Sequence, residues 1–253
     1  MTRLRALLWP SMLAAAALAV LIGLGTWQLQ RLAWKNTLIG AASERAAATP
    51  VAIPPEGEWA AIRPTDYEYR RVTVSGTFRH DLEIAVFTDL PSARGAFRGT
   101  GWWILTPLVQ ANGSVIIVNR GFVPADRKDP ATRSSGQVSG PVTLTGLLRA
   151  TEERNTFTPA DDPRANNWFT RDPAAIAAAK GLDRVAPFFV DADASAPGGL
   201  PQGGETRLVF PNRHFEYALT WYGLALALIG VYAAFAVRQL KDRPGSDEKA
   251  RDG

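Results

Sequence analysis

Imidazole is the side chain best suited to hold a borderline-soft metal at neutral pH, and this chain has two. His214 stands in the run Asn212-Arg213-His214-Phe215-Glu216-Tyr217-Ala218-Leu219-Thr220-Trp221-Tyr222, which leads into an uncharged stretch, Tyr217 to Val237. On a helix His214, Tyr217, Ala218 and Trp221 share one face. Two readings of His214 stand side by side. It is an interfacial histidine, hydrogen-bonded to Asn212 or to lipid headgroups, or it is an axial ligand. Imidazole beside Tyr217 and Trp221, with Arg213 and Arg31 near enough to meet propionates, is what a transient haem site needs. His80, in Phe78-Arg79-His80-Asp81, falls at a strand-to-turn corner and reads as a surface turn residue.

The elements that position His214 are apolar spans. Residues 6–30 carry no charge and reach about 37 Å as a helix, more than a hydrocarbon core needs. Residues 217–237 are also uncharged and reach about 31 Å. Both are predicted to cross a membrane, the second within 213–237. The first stretch is too long for the apolar part of a signal peptide and runs into Trp27-Gln28-Leu29-Gln30-Arg31, so it reads as an anchor. Ala15, Ala19 and Gly23 recur every four residues on the first span, and Ala218 and Ala225 share a face of the second, where small residues let helices approach.

Two spans place both tails, 1–5 and 238–253, on one side. Arg3 and Arg5 before the first span, and Arg238, Lys241 and Arg243 after the second, put that side in the cytoplasm. No amphipathic Arg/Ser-rich presequence precedes the first span, which points to a bacterial inner membrane with the main domain in the periplasm. Trp27, Arg31, Trp34 and Lys35 form a stripe where the first helix leaves the membrane. They read as an aromatic belt with snorkelling cations, or as a cationic-aromatic wall for a flat anionic ligand.

Composition excludes several classes. The tails hold 7 of the 28 basic and 4 of the 24 acidic residues, leaving 21 and 20 between them. A nearly neutral domain is a poor nucleic-acid binder, so no nucleic acid is expected. The chain has no cysteine, which removes disulfides, CxxC redox centres, CxxCH haem attachment and thiolate metal sites. Two histidines cannot build a three-histidine zinc centre. There is no GxSxG elbow, and Gly95-Ala96-Phe97-Arg98-Gly99-Thr100-Gly101 lacks the GK[ST] of a P-loop. Binding, delivery or scaffolding is expected, and not an enzyme.

Between the spans, residues 31–66 read as a helical extension to about residue 40 followed by a Pro-rich linker. Residues 67–212 read as an external β-rich domain. Strands are predicted at Tyr69–Phe78, Leu82–Thr88, Trp102–Val109, Val115–Val123, Val142–Arg149, Pro187–Asp191 and Thr206–Phe210. Asn112-Gly113 marks a hairpin turn. Asp172 caps a short helix over Pro173–Lys180 that Gly181 closes. The predicted class is an α+β membrane protein, with two terminal transmembrane helices flanking a mainly antiparallel β barrel or sandwich that carries a short helix. Arg120, at the end of a strand, either supports a structural turn or meets a carboxylate or propionate. Asp161-Asp162-Pro163, Asn166-Asn167-Trp168-Phe169 and Arg171-Asp172 form a polar loop, read as capped and solvated or as a partner surface. Arg120, Trp168 and Arg171 are the partner-contact candidates.

The order of these blocks resembles the Surfeit-locus-protein-one family of cytochrome c oxidase assembly factors. The resemblance runs from Gly25-Thr26-Trp27-Gln28-Leu29 with Arg31 and Trp34-Lys35, through Tyr69-Arg70-Arg71-Val72, Gly76-Thr77-Phe78 and Thr106-Pro107-Leu108. It continues through Asn119-Arg120-Gly121-Phe122-Val123-Pro124, Gly146-Leu147-Leu148-Arg149 and Asn167-Trp168-Phe169 with Arg171-Asp172 to the Asn212–Gly223 block. It implies a role in haem a supply to the oxidase catalytic subunit, with His214 as ligand, Trp27, Trp34, Tyr217 and Trp221 packing the macrocycle, and Arg31 and Arg213 meeting the propionates. The expected partners are that subunit, possible contact with haem a synthase, and membrane lipid. The alternative is a haem-free scaffold that holds the subunit or the synthase through its helices.

Overall fold

A computed structural model of the chain describes residues 2–208, 210 and 212–241, with side chains from Leu7 onward. The distal tail and Val209, the penultimate residue of the last predicted strand, lie outside the described residues. The chain forms two compact units, one from its two terminal stretches and one spanning Gly40–Leu208.

The helical unit is built on α1 (Thr2–Ala47) and α3 (His214–Lys241). Both contain windows long and apolar enough to cross a membrane, with mean hydropathy 2.1 and 1.7. Alanine and leucine favour the helix. α1 passes through the residues expected to extend the span and continues to Ala47. Arg45 lies in its last turn. The helix stops before Pro50, which holds Thr49 out of the helical region.

The second unit is a barrel. Its strands are β1 (Val51–Ala52), β2 (Arg71–Phe78), β3 (Ile84–Leu90), β4 (Gly99–Val109), β5 (Val115–Pro124), β6 (Pro141–Ala150) and β7 (Val185–Ala192). Around the sheet the order is β1-β2-β6-β7-β5-β4-β3, and β2 also pairs with β4 through Thr77↔Val109 and Phe78↔Leu108. That pairing closes a ring of β2, β6, β7, β5 and β4, a five-stranded Greek-key barrel of the OB type. The choice between barrel and sandwich is thereby made. Most pairs are antiparallel, while β1 with β2 and β5 with β7 are parallel. The predicted hairpin joins β4 to β5, and Asn112 Oδ1 accepts from the Ser114 amide at 3.0 Å.

The ring explains two burial patterns. β2 alternates, with Val72 and Val74 turned inward. β5 is buried from Val115 to Val123 because both of its faces are covered. Ile116 and Val118 join Leu108, Leu148, Phe188 and Val190 inside the barrel. Val115 and Ile117 join Ile84, Val86, Leu105, Trp168, Phe189 and Ile176 in a second core outside it. Ile176 comes from α2 (Pro173–Lys180), which Asp172 caps and Gly181 ends at φ 62° as predicted.

One predicted strand is absent. Thr206–Leu208 and Phe210 belong to no strand. The neighbouring β7 already has β5 on one edge and β6 on the other, so no ladder is open to the segment. Thr206 instead donates its hydroxyl to Asp191 at 2.8 Å.

Asp191 is the centre of a buried charged cluster on the outer face of the barrel wall, on the same side of β7 as Phe189. It is 2% exposed and accepts from Asn119 at 2.7 Å, Arg149 at 2.8 Å and Arg171 at 3.2 Å. Burial alone would raise its pKa; the two guanidiniums and the hydrogen bonds from Asn119 and Thr206 outweigh that and hold it below the ordinary carboxylate value. A depressed carboxylate contributes stability that is fully present above its unfolded pKa and is lost as pH falls through the folded value. Asp191→Asn leaves Arg149 and Arg171 without their shared counter-charge. It is expected to destabilise the barrel by about 3–5 kcal/mol, and to shrink the acid-induced loss of stability seen in the wild type, both read by urea unfolding followed through tryptophan emission across pH.

Candidate functional site

His214 is the first residue of α3 and is half-buried. Its Nδ1 lies 2.7 Å from Oε1 of Gln28 on α1. An amide oxygen only accepts, so Nδ1 carries the proton and donates. Nε2 is then the nitrogen with the free lone pair, and it has no hydrogen-bond partner among the described residues. A histidine held through one nitrogen by a neighbouring amide, with the other free, is the arrangement that orients an imidazole toward a metal. The one imidazole nitrogen left free would suit a single bond to the iron of a cofactor, were one held here.

The rest of the helix pair explains why Gln28 and His214 meet. Asn212 Nδ2 donates to Asn36 Oδ1 at 2.8 Å. Tyr222 and Thr26 hydroxyls are 3.1 Å apart, and Ser11 pairs closely with the Tyr232 hydroxyl. Low numbers on α1 meet high numbers on α3, so the helices run antiparallel. Gln28 lies about 31 Å along α1 from Leu7, which puts the Gln28–His214 bond at the far edge of the span. Ala218 and Ala225 are buried, as small residues at a helix contact. The close approach on α1 is at Gly25, and not in the Ala15-Ala19-Gly23 series. A Cβ on Gly25 would stand 2.8 Å from the Tyr222 ring, whereas one on Gly23 would meet nothing within 4 Å.

The other predicted site residues divide. Trp221 is half-buried one turn from the His214–Ala218 face, while Tyr217 is 53% exposed. Arg213 is bonded to Glu216 at 2.9 Å, and Arg31 stacks on Trp34 at 4.2 Å. Trp27 and Trp34 are 51% and 52% exposed. At 100° per residue they lie about 160–180° around α1 from Gly25. They face away from α3 and do not gather on the His214 side; helical geometry, which the sequence stripe left unreferenced to a partner, decides this.

The partner-contact candidates sit in the barrel unit. Trp168 is 1% exposed in the second core, with backbone bonds to Ala85 and Phe87. Arg171 binds Glu152 and Asp191. Arg120 is 4% exposed and donates to the Gly136 carbonyl. The contacts of all three are internal. The polar loop before α2 caps itself: Asp162 Oδ1 accepts from the Arg164 and Ala165 amides, and Asp161 Oδ1 from that of Phe169. The glycine-rich 95–101 segment is clipped by Gln202 and Glu205 through the amides of Phe97, Arg94 and Gly95. His80 differs from its expected surface position. It is half-buried, with Nε2 3.0 Å from the Val138 carbonyl and Nδ1 3.3 Å from Arg120, and its ring lies against Phe78. Burial pushes its pKa below the usual value.

Sequence reasoning passed over Gln28, Asn36, Ser11 and Tyr232. The available signal was that each is a polar side chain in or beside an apolar span, where such groups find partners.

Fold and helix pair together define a two-span membrane protein whose intervening segment is a Greek-key β barrel. The sequence profile of the SURF1 family matches residues 15–226. Surfeit locus protein 1 of Mus musculus is 41% identical over 221 residues, covering 83% of this chain and 70% of the relative. That of Homo sapiens is 39% identical over 218 residues, covering 81% and 70%. That of Takifugu rubripes is 38% identical over 239 residues, covering 88% and 95%. The chain belongs to the SURF1 family.

Gly25→Leu is expected to weaken the helix pair by about 1–3 kcal/mol through overpacking against Tyr222, and Gly23→Leu to leave it unchanged. Cysteines introduced at positions 36 and 212 of this cysteine-free chain report the difference as a fall in cross-linking yield for the first variant alone.

Proposed function

We propose that this protein is a membrane-anchored assembly factor for cytochrome c oxidase that binds haem a transiently and passes it to the catalytic subunit. The observation that carries this reading is the His214 Nδ1–Gln28 bond at 2.7 Å. It fixes the tautomer in which the lone pair of Nε2 would be the one to hold the iron. A single histidine bond suits a carrier, because cargo held by one ligand can be surrendered to a site that offers more. Trp221 and Tyr217 flank His214 and supply aromatic surface for the macrocycle. Arg213, next to His214, supplies positive charge for its propionates, and Arg31 would join it by leaving the Trp34 ring it stacks on. Haem a synthase is the partner expected to load the site, and the nascent oxidase subunit the one expected to empty it.

The role we assign is delivery and not turnover. We further place both termini in the cytoplasm of a bacterial cell and the barrel in the periplasm. Arg238 and Lys241 beyond the second span, and Arg3 and Arg5 before the first, support this orientation.

Two experiments test these readings. Protein purified in detergent from cells that make haem a is expected to carry its pigment in the wild type and to lose it in His214→Ala. Gln28→Ala should retain roughly tenfold less, as loss of an orienting partner costs a metal site. Unchanged pigment in His214→Ala sinks the ligand role, and pigment in neither protein favours the haem-free scaffold. Phe157, 93% exposed on the barrel, replaced by cysteine should react with an impermeant maleimide in intact spheroplasts. Lys241→Cys should react only after permeabilisation; the reverse pattern inverts the topology.

A further inference from the structure

A cavity of about 490 Å³ opens on the barrel beside Arg120, within the range typical of small-molecule pockets. Its walls include Phe78 at the end of β2, Val142 and Leu144 of β6, Ala192 at the end of β7, and Ala194 and Pro197 beyond it. Arg120 is the one charged residue among the described residues lining it. No acidic side chain lines it among the described residues.

The charge behind that wall is unbalanced. Glu83 is buried and pairs closely with Arg133, which is buried too. Arg120 reaches the same carboxylate only at 4.0 Å. Two guanidiniums thus share one carboxylate, and the neighbouring His80 adds no negative charge. Arg120 spends one N–H on the Gly136 carbonyl and faces His80 Nδ1 with another. Its remaining N–H groups have no acceptor among the described residues. The Phe78 ring lies 4.9 Å from the guanidinium carbon and gives the cation an aromatic wall. Burial lowers the Arg120 pKa to about 10, against the partial compensation of Glu83. A buried cation short of one counter-charge, at the base of an apolar cavity, is completed by a ligand that brings a single negative charge and an apolar body.

We propose that this cavity binds a small amphiphile bearing one carboxylate, its charge on Arg120 and its apolar part along Val142, Leu144 and Ala194. A monoanion closes the charge balance, whereas a dianionic phosphate overshoots it. The site is built wholly from residues of the barrel unit.

Decanoate is the probe, titrated calorimetrically into the full chain in phosphatidylcholine nanodiscs, with empty discs subtracted. Saturable binding is expected for decanoate and binding about tenfold weaker for decanol, which keeps the chain but lacks the charge-assisted bond. Arg120→Met should weaken decanoate binding by a similar factor. Should that variant fail to keep the barrel folded, Ala194→Trp decides, since it fills the mouth from an exposed position and leaves Arg120 and its partners untouched; it should abolish binding. Equal affinity for decanol and decanoate, full binding by Ala194→Trp, or no saturable binding at all overturns the proposal. Oleate built into the discs distinguishes the source. Competition with decanoate makes the ligand a bilayer fatty acid, and decanoate binding without competition makes it an aqueous one; either supports the site.

Discussion

A polar group that leaves water must find a partner, and this constraint organises both units. In a bilayer there is no water to supply the bond, and in a packed protein layer there is little room for it. The helix pair meets the requirement with cross-helix pairs, Ser11 with Tyr232, Thr26 with Tyr222, Gln28 with His214 and Asn36 with Asn212. These contacts fix the register of α1 against α3, which apolar packing alone leaves free to slide. The barrel meets it by surrounding Asp191 with Asn119, Arg149, Arg171 and Thr206, four partners drawn from segments far apart in the chain.

The same constraint connects stability to function. Gln28 satisfies only one nitrogen of His214. The bond that offsets the cost of placing an imidazole at the membrane edge leaves Nε2 without a partner among the described residues. Arg120 presents a parallel case in the barrel. Its network with Gly136, His80 and Glu83 holds the guanidinium in place without exhausting its donors or its charge. In each unit the residue of chemical interest is the one whose partners stop short of full satisfaction, while Asp191, completely surrounded, serves the fold alone.

Membership of the SURF1 family agrees with the arrangement of the molecule. The matched region runs from within the first span to within the second, so the family's sequence pattern takes in parts of both helices as well as the barrel. His214 and Gln28 both fall inside that region, as do Gly25 and Tyr222.

Sequence alone determined the parts whose signals are local. Two uncharged stretches of sufficient length gave the spans, alternation gave β2, Asn112-Gly113 gave the β4–β5 turn, and Asp172 with Gly181 bounded α2. It also singled out His214 by eliminating other metal-binding chemistry. Local signals misled where a partner was required: Thr206–Phe210 has the composition of a strand but meets no open edge, and Trp27 and Trp34 form a stripe that faces away from α3. Only tertiary structure decided that β2 meets β4 and closes the ring, that Gly25 and not Gly23 is the point of helix contact, that Gln28 holds His214, and that Arg120 and Trp168 point inward. These depend on residues tens to hundreds of positions apart becoming neighbours, and the energy of such contacts leaves no periodicity or composition in the chain for a reader to find.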